Sequence, residues 1–424
     1  MRFAHEQAAP AAANESGGKA NAAQTLLALV LDSIVCSDAR LAIETSKPGK
    51  LPLRFDIARL RLTGIRAGAI MNFDAQLTNA RPVGTIFTTG TFGPWTMNDP
   101  GSSAVAGQYR FEHANLGDFK GIAGTLNSSG KYQGTLRGLT VDGVTDTPDF
   151  RLTHFGSPMP LHTEFHASVD ATDGDTWLNP VHATLGQSQF TVQGKIVRVI
   201  QDAGQGGAAL RMKGHDISLM VDVEHGRMED FMKLVSSSGS PLLTGALAMK
   251  TSLDISPGSE PVNRRMKLNG SFTLDQAQFT DAKIQQRIGD LSLRGLGQPD
   301  EGEKQAAGDV RSTMRSDFQM SGGVITLPDL KYSVPGADID MNGTYGVEGG
   351  TLHFTGTARM QATVSQMVGG WKGFLLKPAD RFFKKDGAGT EVPIYIDGTR
   401  DHPDFGVDIH GVTATFPQRP GEKQ

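Results

Sequence analysis

Apolar and polar residues alternate with a period of two in one segment after another of this chain, from about Leu26 onward. In ALAMKTSLDI the side chains of Leu247, Met249, Leu253 and Ile255 fall on one face. KLNGSFTLD does the same with Leu268, Phe272 and Leu274, ADIDMNGTYGV with Ile339, Met341, Tyr345 and Val347, and GTLHFTGTARM with Leu352, Phe354 and Met360. A period of two is that of a β-strand. Clusters of Gly, Pro, Asp or Asn bound each segment, as expected for antiparallel strands with one wet face. Gly143, Gly270, Gly343, Gly356 and Gly398 sit at or inside these patterns and suggest bends, bulges or turns. A one-sided apolar sheet must hide that face. The strands therefore either close on each other as a sandwich or barrel, or curl into a trough. Alternation alone does not separate the two.

Helical periodicity is rare. GRMEDFMKLV puts Met228, Phe231, Met232 and Val235 on one stripe, and DAKIQQRIGDLSLR does so with Ile284, Ile288 and Leu291. A third helical pattern lies near GGWKGFLLKPADRFFKK, residues 369–385. Val364, Met367, Val368, Trp371, Phe374 and Leu375 follow helical spacing, and Pro378 then breaks the run before Phe382 and Phe383. Lys372, Lys377, Arg381, Lys384 and Lys385 are offset only by Asp380 and Asp386. Aromatics ringed by lysines suit a membrane interface. They equally suit a helix capping the end of a sheet, with lysine stems lying over apolar surface.

The 424 residues allow two or three ordinary domains or one elongated one. With 38% hydrophobic residues and 52 glycines the chain can bury a core, and its 20% charged content is not that of a disordered chain. A net charge of −4 gives no general basic footprint for nucleic acid. Cys36 is the single cysteine, so an intrachain disulfide is impossible. The run TLLALVLDSIV, interrupted by Asp32, is shorter than the roughly 20 apolar residues of a membrane-spanning helix. It also lies too far from the start for a standard signal peptide. Residues 1–24 read as a flexible arm, and SSSGSP (236–241) and GQPDEGEKQAAGD (297–309) as linkers.

Two motifs recur. GQYRFEHANL from Gly107 and GSFTLDQAQF from Gly270 match at Gly, aromatic, apolar and Ala positions. GVTDTPDF from Gly143 and GTRDHPDF from Gly398 share a pattern read as hairpin chemistry, with Gly for an unusual angle and Asp-Pro for a rigid turn.

Reactive chemistry finds little footing. In LHTEFHASVD, a strand would place His162, Glu164, His166, Ser168 and Asp170 on one face. Two His and a Glu at that spacing can reach one zinc ion, but the pattern is also that of a solvated strand face, and no metal is expected. DATDGDTWL lacks EF-hand spacing and reads as a turn. GTLNSSGKY has one residue too many for a phosphate loop, and GQGGAAL is no dinucleotide fingerprint. No Gly-x-Ser-x-Gly elbow occurs, and nothing supports Cys36 as a nucleophile. No catalytic residue and no cofactor are expected.

GTIFTTGTFGPW, DPGSSAVAGQYRFEHANL, GTLNSSGKYQGTL, VDGVTDTPDF, SGGVITLPDL and GGWKGFLLKPADRFFKKDGAGTEVPIYIDGTRDHPDFGVD together resemble the AsmA-like envelope proteins of Gram-negative-type bacteria. TamB-type bridge-like lipid transfer proteins are more distant relatives. The likeness runs from about residue 26 to 411 and is strongest toward the C-terminus. It implies a mainly β fold: an elongated, twisted antiparallel groove of repeated hairpins with an apolar interior and a few short amphipathic helices. A β-groove region over 25–240 would be followed by an AsmA-like C-terminal β region over 241–424, with a helical cap at 363–385.

The resemblance also implies non-enzymatic phospholipid transport and outer-membrane assembly in the periplasm, associated with the inner membrane. The expected partners are phospholipid, a membrane surface met at 363–385, and an envelope protein. Trp371, Phe374, Leu375, Phe382, Phe383, Lys372, Lys377 and Lys384 are the lipid- or membrane-contact candidates. Family members usually begin with a transmembrane helix, and none is visible here. Two rivals remain: a scaffolding β protein that binds partners through edge strands, and a hydrolase of envelope polymers, which needs two carboxylates converging within about 10 Å.

Overall fold

The structure is a computed structural model that describes residues 31–43, 53–96, 98–119, 121–153, 157–202, 211–235, 241–299, 310–368, 389–400, 402–409 and 412–415. Its strands are β1 Leu31–Ile43, β2 Leu53–Ile65, β3 Met71–Ala80, β4 Val83–Phe92, β5 Ala104–Asn115, β6 Ile122–Ala123, β7 Thr125–Thr135, β8 Gly138–Leu152, β9 Met159–Asp170, β10 Asp175–Leu185 and β11 Ser188–Asp202. They continue as β12 Arg211–Arg227, β13 Leu243–Ile255, β14 Met266–Phe279, β15 Ser312–Ser321, β16 Val324–Val334, β17 Ala337–Gly346, β18 Thr351–Met360, β19 Thr390–Thr399, β20 His402–Ile409 and β21 Val412–Thr415. Among the described residues four α-helices interrupt them: α1 Met228–Val235, α2 Val262–Arg265, α3 Ala282–Gly295 and α4 Val364–Val368.

Among the described residues twenty strands form one open antiparallel sheet. The exception is β6, whose two residues pair apart with the far end of β8. Among the described residues each sheet strand bonds only to its neighbours along the chain, and the pairing continues from β12 to β13 across residue 240. The molecule is one long up-and-down meander, so the expected repeated-hairpin groove is the architecture found.

Irregularities in the strands keep the two faces distinct. In β10 the register shifts between Leu178 and Val181, so Asn179 and Pro180 bulge outward and both apolar side chains stay on one face. In β16 Pro328 and Asp329 do the same between Leu327 and Leu330. Proline, which lacks an N–H for the ladder, belongs at such positions.

The GQYRFEHANL and GSFTLDQAQF motifs prove to be a second bulge device. Their seventh residues, His113 and Gln276, have φ of 55° and 54°. In both copies two residues oppose one on the partner strand. The Ala that follows, Ala114 or Ala277, is fully buried. The other repeat divides. GTRDHPDF spans the β19–β20 hairpin, with Gly398 at φ 97°. GVTDTPDF instead lies inside β8 and makes no hairpin. Its Pro148 and Asp149 occupy a bulge, because β8 runs on to pair with both β9 and β6.

Both longer helices sit where the hydrophobic stripes placed them. Asp281 caps α3 by accepting from the Lys283 and Ile284 N–H groups at 2.9 Å. Ile288 and Leu291 of α3 pack against Tyr332, Val334, Ala337, Ile339 and Ala358. Met228 and Phe231 of α1 pack on Leu243, Leu247, Leu274 and Ala277. The turns leaving β12, β14, β16 and β18 share one rim of the sheet, so α1, α3 and α4 line that rim alone.

Candidate functional site

Directly opposed residues in antiparallel strands point to the same face, so the pairings can be followed side chain by side chain across the sheet. One row begins Ile34, Leu62, Phe73, Gly90, Gly107, Tyr132. It continues Val141, Ala167, Leu178, Gly194, Leu219, Leu253. It ends Leu268, Met320, Ile325, Tyr345, Leu352, Gly398. From β1 to β19 this row contains no charged or amide side chain. The adjacent row, from Cys36 and Leu60 through Phe165, Val192 and Val221 to Phe318, has none either. At a strand spacing of about 4.8 Å, twenty strands give an apolar strip on the order of 90 Å long.

The strip is not sealed. Leu62, Phe73, Leu219, Leu253 and Leu268 are all half-buried, whereas a second layer packed across them would shut them off. Burial is concentrated where α1 and α3 cover one rim. This favours the trough over the closed sandwich.

Two glycines of the strip, Gly107 and Gly143, are not bends. A Cβ on Gly107 would lie 2.8 Å from the Tyr132 hydroxyl, and one on Gly143 would lie 2.7 Å from the Tyr109 hydroxyl and 2.9 Å from Phe165 Cζ. Aromatic rings from neighbouring strands lie over these positions, and the glycines make the floor level enough to receive them.

Two contacts join opposite rims. A Cβ on Gly174, in the β9–β10 turn, would meet Leu53 Cδ2 of β2 at 3.6 Å, and one on Gly121 would meet Val262 Cγ2 of α2 at 3.4 Å. Strand twist of roughly 20–25° per step accumulates to about half a turn between β2 and β10. That rotation carries one rim round to face the other, so the trough winds as it lengthens.

The opposite face is polar and paired. Arg59 meets Asp74 at 3.2 Å, Lys250 meets Asp222 at 2.9 Å and Arg359 meets Asp340 at 2.9 Å. A concavity of 1390 Å³ also lies on this side, bordered by Arg59, Arg110, Lys131, Asp142, His166 and His182. Sequence reasoning did not anticipate it, because its lining is drawn from strands β2 to β10 and no single motif carries it. Arg110 there stacks 4.9 Å from the Phe87 ring centre.

The candidate zinc residues fall on this polar face as well. His162 pairs across strands with Asp146 at 2.7 Å and His166 with Asp142 at 2.5 Å. Among the described residues no group of three such side chains is placed to hold a metal ion. The acidic stretch after them is a turn, in which Asp170 accepts from the Thr172 and Asp173 N–H groups. GTLNSSGKY forms part of β7.

The predicted contact residues Trp371, Lys372, Phe374, Leu375, Lys377, Phe382, Phe383 and Lys384 lie outside the described residues. What leads into them is described: α4 sits beside α3, with Arg294 Nη1 donating to the Met367 carbonyl at 3.2 Å. Among the described residues no helix is long and apolar enough to cross a membrane. Comparison with protein-family models, curated proteins and solved structures gives no match.

Proposed function

We propose that this protein is a non-enzymatic carrier of phospholipid, holding acyl chains on the apolar strip of its sheet. The observation that carries this reading is the uncharged row from Ile34 to Gly398, partly open to solvent at every position but Ala167 and Met320. Each acyl methylene gains about 0.8 kcal/mol on leaving water for such a surface, and passage along it needs continuity, not a reactive group. The resemblance of the sequence to AsmA-like proteins supports a role in the bacterial envelope, in lipid supply to the outer membrane. The broken amphipathic stretch at 369–385 is then the point of contact with a bilayer.

Gently purified protein examined by native mass spectrometry is expected to carry phospholipid, and Leu253→Asp, in the middle of the strip, to lose it while staying folded. A protein that is empty in the wild-type form overturns the proposal. Serine at Trp371, Phe374 and Phe382 is expected to weaken binding to liposomes. Unchanged liposome binding would remove the membrane role of that stretch.

A further inference from the structure

Among the described residues the apolar strip carries a polar island in the motifs around Gly107 and Gly130. On strands β4, β5, β7, β8 and β9 the floor carries the hydroxyls of Thr88, Tyr109, Tyr132, Ser128, Thr145 and Thr163. Their protons can be followed. Thr88 donates to the Gln108 carbonyl at 3.0 Å, so the Tyr132 hydroxyl 2.6 Å away donates to Thr88. Ser128 donates to the Val144 carbonyl at 3.0 Å, so the Tyr109 hydroxyl donates to Ser128 across 3.0 Å. Thr145 and Thr163 share one proton over 2.7 Å.

Both tyrosine protons are thus committed, while each phenolic oxygen keeps acceptor capacity. Burial raises both phenols above the ordinary tyrosine value, so neither is lost to ionisation near neutral pH. The two rings lie 6.4 Å apart, side by side over glycines. The island therefore offers acceptors to whatever lies on the strip. No carboxylate shares this patch of the floor, because Asp142, Asp146 and Glu164 project from the polar face. A cationic head group would lose its hydration there without a counter-charge.

We infer that the Tyr109–Tyr132 island is a subsite for a neutral hydroxyl of a lipid, carried either on its glycerol moiety or on its acyl chain. The inference rests on the lipid-carrier reading and adds a selectivity that a uniformly greasy floor lacks. Lipids with a free hydroxyl dwell at this point of the trough, and fully apolar chains slide past it.

The test compares neutral and acidic probes with and without the donor: monoolein against methyl oleate for a glycerol hydroxyl, and ricinoleic acid against oleic acid for a chain hydroxyl. Affinities are measured by calorimetry on the full chain. The hydroxylated member of at least one pair is expected to bind about three- to tenfold tighter, the worth of one net hydrogen bond or slightly more. The pair that shows the preference identifies the source. Tyr109→Phe with Tyr132→Phe is expected to abolish the preference and leave oleate affinity unchanged, with thermal melting confirming the fold. If all four probes fail to bind, the carrier reading itself falls. If all bind with no preference in the wild type, or the preference survives in the double variant, the subsite alone is overturned. The wild-type comparison decides the matter even should the double variant misfold.

Discussion

A Cβ on Gly143 would lie 2.7 Å from the Tyr109 hydroxyl, 2.8 Å from the Ser129 carbonyl and 2.9 Å from Phe165 Cζ. Backbone cannot yield as a side-chain end can, so Gly143→Val is expected to cost about 1–3 kcal/mol in denaturant-induced unfolding. Stability within a few tenths of wild type would show that the rings do not rest on the glycine floor. Much at this scale was legible beforehand: the alternation of Leu247, Met249, Leu253 and Ile255 assigned their common face without error. Other residues escaped. Period two cannot align Leu178 with Val181, because the intervening Asn179 and Pro180 bulge out of register. His113 and Gln276 carry no signal of their positive φ beyond membership of a repeat, and the Gly143 motif reads as a turn although the chain continues through it as one bulged strand, β8.

Among the elements, α1 is held by carboxylates more than by its length. Asp230, buried, accepts from the Gln187 N–H and the Ser188 hydroxyl at 2.9 Å. Glu229 accepts from Arg227 and from the Gly245 N–H at 3.2 Å. Burial alone would raise the Glu229 carboxyl, but its own backbone N–H, the Arg227 guanidinium and the Gly245 N–H together hold it below its ordinary value. A depressed folded-state value contributes stability above the unfolded value, and that contribution is lost as pH falls. The anchoring of α1 is therefore expected to weaken as pH drops below about 4.5. Lower amide protection over 228–235 in acid, measured relative to the intrinsic exchange rate at each pH, would register the change. Glu229→Gln should show the lower protection already at neutral pH, and indifference to both changes would refute the anchor. The helix stripes of Met228 and Phe231, and of Ile288 and Leu291, were readable in the sequence. What those stripes cover was not, since nothing local says that the turns after β12, β14 and β18 share one rim.

For the whole molecule, the winding of the trough brings Leu53 against the β9–β10 turn. In a Cys36→Ser background, cysteines at 53 and 174 are expected to be joined by a short bis-maleimide within one chain, seen as a shift on denaturing electrophoresis. Failure to crosslink would mean that the rims stand apart in solution. The strictly sequential order of the strands has a further consequence for how such a chain changes over generations. Excising or duplicating two consecutive strands leaves every other residue on its own face, while a change of one strand reverses the sense of all that follow. Length is thus adjustable in steps of one hairpin, about 10 Å of strip at a time. Because each strand needs only its immediate neighbours, stability should add up locally, as in a linear array. The meander is then a ruler that gene duplication can extend without redesigning what it measures.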